Sequence, residues 1–106
     1  MKSISYLTLF IFTTILNASS GSITGQVFDV DTHQHLIGAN IIIEGTNLGT
    51  ACDTEGRFSI SNIPVGSYTV IISMIGYQPI SRGNINIYSQ RQTPLTFYLN
   101  RVSLKG

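Results

Sequence analysis

His33 and His35 stand two residues apart in the run Asp29-Val30-Asp31-Thr32-His33-Gln34-His35. Side chains at i and i+2 share one face of an extended strand, so the pair could present two imidazoles to a divalent cation. Zinc sites take three or four ligands. No third is evident beyond the neighbouring Asp29 and Asp31, and a solvated polar loop is the expectation. Asp53-Thr54-Glu55-Gly56 has the opening of a calcium loop but lacks the later bidentate Glu. Turn geometry alone accounts for its Asp and Gly. Cys52 is the only cysteine, which excludes an internal disulfide and a thiolate zinc cage. It is expected as a small buried hydrophobe, against the alternative of a free thiol or an intermolecular bridge.

Nucleophilic catalysis needs a nucleophile beside a positioned base. The chain has many serines but no Gly-x-Ser-x-Gly elbow. Its five carboxylates fall in or beside expected turns, where they are ordinarily solvated. No glycine-rich phosphate loop opens a helix. Catalytic, cofactor-binding and metal-ligating residues are therefore assigned to none, and no enzyme activity is expected. Tyr77, Tyr88 and Tyr98, with Tyr68, could form an exposed platform that stacks on sugars. Large aromatics more often complete a core or cover a sheet face, and that is the expectation. The binding residues are left unassigned.

The elements that carry these residues read as strands. After Gly21 no window has a convincing apolar period of 3.6, while alternation recurs. Ile23, Gly25 and Val27 form one such set. Ala39, Ile41 and Ile43 form another, with Ile42 partly covered on the opposite face. Further sets are Phe58 and Ile60; Tyr68, Val70, Ile72 and Met74; Ile85 and Ile87; and Leu95, Phe97 and Leu99. A short strand is expected at Thr50–Cys52. Turn residues separate the runs: Asp29–Gln34, Gly45–Gly49, Asp53–Gly56, Pro64–Gly66, Gly76 and a bend at Arg82-Gly83-Asn84. Seven short strands with turn signals every 8–12 residues or so argue for an all-β, seven-stranded sandwich of two sheets. One edge strand could pair with a partner's strand.

Length and charge bound the function. The 106 residues hold one domain at most. Six basic and five acidic residues leave no electrostatic footprint for nucleic acid. Charged residues at 10% and apolar residues at 42% exclude a disordered tail. Residues 1–20 differ from the rest. Lys2 is their only charge, an apolar run follows, and Asn17-Ala18-Ser19-Ser20 closes the segment with small residues. This is the pattern of a secretory signal peptide cleaved before Gly21. The alternative, an uncleaved anchor, is disfavoured because a bilayer span needs about 20 apolar residues. Without residues 1–20 the chain carries five basic and five acidic residues. The expected organisation is signal peptide 1–20, sandwich domain 21–100, and 101–106 as the start of a linker or a frayed C-terminus.

The ordered turn residues carry a resemblance. They are Gly25-Gln26-Val27-Phe28-Asp29, Leu36-Ile37-Gly38-Ala39-Asn40-Ile41, Gly45-Thr46-Asn47-Leu48-Gly49-Thr50, Asp53-Thr54-Glu55-Gly56-Arg57-Phe58, Ile63-Pro64-Val65-Gly66-Ser67-Tyr68 and Ile75-Gly76-Tyr77. Together they resemble the carboxypeptidase regulatory-like, or transthyretin-like, domain. They are more closely similar to the version at the N-terminus of TonB-dependent, SusC-like outer-membrane receptors. His33 and His35 stand where that family usually has Gly and Pro, and Cys52 where it has Thr or Ser. The resemblance implies a Greek-key-like sandwich on the periplasmic side of a bacterial outer membrane. It implies a non-enzymatic extension of a receptor that imports a glycan or metal chelate, with no cofactor and no membrane span after signal cleavage. Its implied partners are the receptor's plug and barrel or other periplasmic envelope proteins, with a glycan as a further candidate. The alternative is a free-standing exported or cell-surface module that binds carbohydrate or protein.

Overall fold

The computed structural model describes residues 19–103. The expected signal peptide lies outside the described residues except for Ser19 and Ser20. Seven strands are formed: β1 (Ser20–Asp29), β2 (Asn40–Ile43), β3 (Gly49–Ala51), β4 (Arg57–Pro64), β5 (Gly66–Ser73), β6 (Ile80–Ile87) and β7 (Gln92–Leu99). No helix occurs among the described residues. The strands build two sheets, one ordered β4-β1-β7 and the other β3-β2-β5-β6. The expected all-β sandwich is the observed one.

Alternation decides which side chains meet. Ile23 and Val27 of β1, Phe58, Ile60 and Ile63 of β4, and Phe97 and Leu99 of β7 turn inward from the first sheet. Ile41 and Ile43 of β2, Val70 and Ile72 of β5, and Ile85 and Ile87 of β6 meet them from the second. Burying each such side chain stabilises the fold by about 1.5–3 kcal/mol relative to exposure. Leu36 and Cys52 cover the core from loops. Ile42, on the opposite face of β2, is 46% exposed.

Two features of β1 set the architecture. It is the central strand of its sheet, antiparallel to β4 and parallel to β7. The first and last strands of the fold therefore lie side by side, in continuous register from Ser22↔Gln92 to Asp29↔Leu99. Gly25 also occupies an inward position of β1. The Phe58 ring fills the space a side chain would take there, and Phe58 in turn stacks on Phe97 with ring centroids 6.3 Å apart.

The turn at Asp53–Gly56 forms as its residue types require. Asp53 Oδ1 accepts the backbone N–H groups of Glu55 (2.8 Å) and Arg57 (3.0 Å). Gly56 takes φ +70°, a left-handed conformation that glycine adopts without a Cβ penalty. Those two bonds hold the Asp53 carboxyl below its ordinary range, with the Arg57 amide the larger cause.

Arg82-Gly83-Asn84 is corrected: it does not bend the chain out of the sheet. It lies within β6 as a bulge, with two residues opposite Thr69 of β5 between the pairs Tyr68↔Ile85 and Val70↔Arg82. Asn84 absorbs the extra residue at φ +57°. A matching bulge at Ser61-Asn62 of β4 faces Ser22 of β1, with Asn62 at φ +60°. Asn is among the few non-glycine residues that enter this region readily. Where β6 and β7 adjoin, the Arg82 guanidinium lies 4.5 Å over the Phe97 ring, and Thr93 Oγ1 donates to the Asn86 carbonyl at 3.1 Å.

Candidate functional site

The residues with chemical potential gather at the end of the sandwich where β1 stops. Asp29, expected in a solvated loop, is instead the last residue of β1, on an inward position, and only 1% exposed. The parity of the strand causes this, because Asp29 continues the inward series of Ile23 and Val27. A buried carboxylate must be hydrogen-bonded to persist, and Asp29 is so on both oxygens. Oδ1 accepts the backbone N–H groups of Asp31 (2.8 Å) and Thr32 (3.0 Å). Oδ2 accepts the Tyr77 hydroxyl (2.7 Å) and Arg101 Nε (2.9 Å).

The cluster joins segments of the chain far apart in sequence. Tyr77 belongs to the loop between β5 and β6, and Arg101 follows β7. The two also form a β-bridge, and the Arg101 guanidinium lies 5.5 Å from the Tyr77 ring centroid. Gln78 donates its backbone N–H to the Asn100 carbonyl, and Val102 donates to Gly76. Ordered hydrogen bonding thus continues past residue 100, through Val102.

The electrostatics of this cluster oppose proton transfer. The Tyr77 hydroxyl, foremost among its donors, holds the Asp29 carboxyl far below the usual carboxylate range. The same bond pushes the Tyr77 hydroxyl above its ordinary value. An acid that stays ionised down to strongly acidic pH, held to a phenol that resists ionisation, makes a structural latch.

The histidines do not join a metal-binding set. His33 sits at φ +64° and meets the Tyr98 ring edge-on, with centroids 6.3 Å apart. His35 forms a bridge with Phe28. Asp29 is occupied as described. No group of three or more His, Cys, Asp or Glu side chains forms among the described residues.

The tyrosines are dispersed. Tyr68 packs against the core and donates its hydroxyl to the Pro64 carbonyl. Tyr77 belongs to the latch. Tyr88 and Tyr98 remain about half exposed. Tyr98 stacks on Phe28, its partner across β1 and β7, with centroids 5.5 Å apart. Sequence reasoning misses Phe28 as a companion of the tyrosines. Its outward parity on β1 is the available signal, and the β1–β7 pairing that brings it to Tyr98 has none.

Two shallow clefts lie along the three-stranded sheet. One, of about 300 Å³, lies beside Gly25 between Gln26, Arg57, Pro94 and Thr96. The other, of about 290 Å³, lies between Ser22, Ser61, Asn62, Gln90 and Gln92. Hydroxyls, amides and one arginine line each, and neither contains a carboxylate. Neither pairs a nucleophile with a base.

Cys52 is 5% exposed, as expected of a small hydrophobe. Burial, with the Asp53 charge as a lesser cause, pushes its thiol up to about 11. The thiolate is the reactive form. Iodoacetamide at pH 8 is therefore expected to leave Cys52 unmodified in the folded protein and to alkylate it in denaturant, as mass spectrometry would read. Rapid alkylation of the native protein would contradict the burial.

Comparison with known proteins adds the following. The family model described as CarboxypepD_reg-like domain matches residues 23–105. The TonB-dependent receptor SusC of Bacteroides thetaiotaomicron is 38% identical over 58 residues, covering 55% of this chain and 6% of the receptor. The TonB-dependent receptor P39 of Formosa agariphila is 38% identical over 63 residues, covering 59% of this chain and 6% of that receptor. Among solved structures, the Bacillus anthracis TIE protein superposes with a TM-score of 0.66 at 20% identity, covering 79% of this chain and 17% of that one. That last likeness concerns the fold alone.

Proposed function

Because the chain belongs to the CarboxypepD_reg-like domain family, we propose that it works as a non-enzymatic N-terminal extension of a TonB-dependent outer-membrane receptor. The extension sits on the periplasmic side, and the receptor takes up a nutrient such as a glycan or a metal chelate. The observation that carries this reading is the 38% identity to two such receptors within the stretch that forms the sandwich. The lack of a nucleophile–base pair in either cleft, and the full occupancy of Asp29, support a role without turnover. A secretory leader over residues 1–20, ahead of the domain at 21–100 and the segment 101–106, belongs to the same proposal. So does the absence of any catalytic, cofactor or metal-ligating residue.

The test is fractionation of the source bacterium with an antibody against the sandwich. Recovery in the outer membrane, attached to or co-purifying with a receptor barrel, is the expected result. One observation favours a second reading: Tyr98 stays half exposed beside Phe28, an aromatic surface suited to a sugar ring. A free-standing carbohydrate module would instead appear unattached in the soluble exported fraction. It would bind immobilised glycans saturably, and Tyr98→Ala would abolish that binding.

A further inference from the structure

Two tight turns carry an exposed isoleucine that turn chemistry does not require. In the loop between β5 and β6 the Met74 carbonyl accepts the Tyr77 N–H at 3.0 Å, and Gly76 between them holds φ +89°. A type II turn demands that glycine, while the position ahead of it accepts many residues and is commonly Pro. Here it is Ile75, 97% exposed. The loop leading into β2 repeats the arrangement, with Ile37 exposed ahead of Gly38 at φ +82°. Strand β2 starts where β5 ends, Asn40 pairing with Ser73, so both turns stand at one end of the same ladder.

From these turns an uncharged strip runs over the outer face of the four-stranded sheet. Its next apolar row is Ile42 paired with the half-buried Ile71, continued by Gly49 of β3 and Ser81 of β6. Strands β2, β3 and β5 contain no charged residue. The single charge of β6, Arg82, is turned over the Phe97 ring. Among the described residues, Ile37, Ile42, Ile75 and Val102 belong to this end or face, and Val65 is the only exposed large aliphatic side chain elsewhere.

We infer that this strip is a docking surface for the receptor body that follows the domain, which meets it with an uncharged, apolar surface of its own. The inference rests on the receptor reading. The chain covers 6% of each receptor it resembles, so in that reading a far larger body is attached after β7. The polypeptide leaves the sandwich at the rim of the strip. Val102 donates its N–H to the Gly76 carbonyl at 3.0 Å, beside Ile75, and stays 44% exposed. Arg101, held by Asp29 and bridged to Tyr77, fixes that exit. Size favours this occupant over a second copy. A stable interface between free proteins covers about 800 Å² on each partner, more than four aliphatic side chains expose. A partner on a short tether docks at a roughly millimolar effective concentration, and a small patch then suffices. The bonds among Tyr77, Asp29 and Arg101 hold the Ile75 turn before docking, so little ordering is left to oppose it.

The test is photo-cross-linking in outer membranes of the source bacterium. Ser81→Cys places a thiol on the outer face beside Ile71, and Ser59→Cys places one on the other sheet. Both positions are exposed, while Cys52 is buried and escapes coupling. Each thiol is labelled with benzophenone maleimide, illuminated, and its adducts are read by mass spectrometry after digestion. Adducts from position 81 to peptides of the receptor's own plug or barrel are expected at several-fold higher yield than from position 59. Ile75→Asp added to Ser81→Cys should remove most of that yield, and a side chain so exposed can be changed without touching the core. Equal yields from the two positions, or a yield indifferent to Ile75→Asp, would overturn the inference and leave the receptor reading standing. So would adducts confined to lipid or to a second copy. Absence of the sandwich from the outer membranes would overturn both.

Discussion

Replacement of Asp29 by Asn lowers the thermal unfolding midpoint of the chain on the order of 10 °C. The amide keeps the size of the carboxylate but changes what it offers. Asp29 receives four donors from three separate regions of the chain, and they are satisfied by two anionic oxygens. Asn supplies one acceptor oxygen and turns an N–H₂ group toward donors, leaving buried polar groups without partners. Arg101 also loses its anion. Tyr77→Phe removes a single bond and should cost less. The same contrast has a pH signature. The Asp29 carboxyl titrates well below its ordinary value of 3.8 in the folded protein. Its contribution is therefore complete above the unfolded pKa and fades as pH falls below about 4 toward the folded pKa. Melting curves between pH 7 and pH 2 should show the parent protein losing more stability than Asp29→Asn across that acid range. Parallel curves for the two proteins would mean that the latch contributes nothing through its charge.

Gly25→Ala is expected to destabilise the domain by about 3 kcal/mol, at the upper end of overpacking costs. A Cβ at Gly25 would run into the Leu95 carbonyl oxygen of β7 and would stand 2.6 Å from Phe58 Cζ. The carbonyl cannot retreat without opening the β1–β7 ladder. The Phe58 ring cannot retreat because it lies against Phe97. Gly25→Val adds two further methyl groups to the same space and should prevent folding of a domain this small. Gly38→Ala separates this effect from the loss of glycine's backbone freedom. Gly38 has φ +82°, and no atom lies within 4 Å of the place an alanine Cβ would take. Its substitution carries only the conformational cost, ~1 kcal/mol. Urea titration of the three variants would rank them. A Gly25→Ala protein as stable as Gly38→Ala would remove the steric account.

The seven strands were legible because their side chains alternate and because turn residues punctuate them. The Asp53–Gly56 turn was legible from its Asp and Gly, since the partners of Asp53 lie within a few residues. The Asp29 latch was not. Tyr77 and Arg101 are 48 and 72 residues away from Asp29, and no local pattern announces a partner at that distance. The acidic residue stands just ahead of the polar run Asp31-Thr32-His33-Gln34, so that run pointed to water while strand parity pointed inward. The β6 bulge was hidden for a related reason. Gly83-Asn84 has turn chemistry, and only pairing with β5 shows that the ladder resumes beyond it. The neighbourhood of Phe28 and Tyr98 depended on β1 and β7 lying together, which alternation within either strand does not encode.

The two asparagine bulges bear on how this molecule behaves in company. Regular, unguarded strand borders invite copies of a protein to stack into fibrils. Here the border of β4 is interrupted at Ser61-Asn62 and ends in Pro64, which has no N–H to offer. That of β6 is interrupted at Gly83-Asn84, and β3 is only three residues long. The border of β7 is covered by Arg82, which reaches over from β6 to the Thr96 carbonyl, and by Thr93, which reaches back to the Asn86 carbonyl of β6. Concentrated solutions should therefore stay free of thioflavin-positive aggregate despite the low charge of the chain. Contacts with other macromolecules are left to the faces and loop ends of the sandwich.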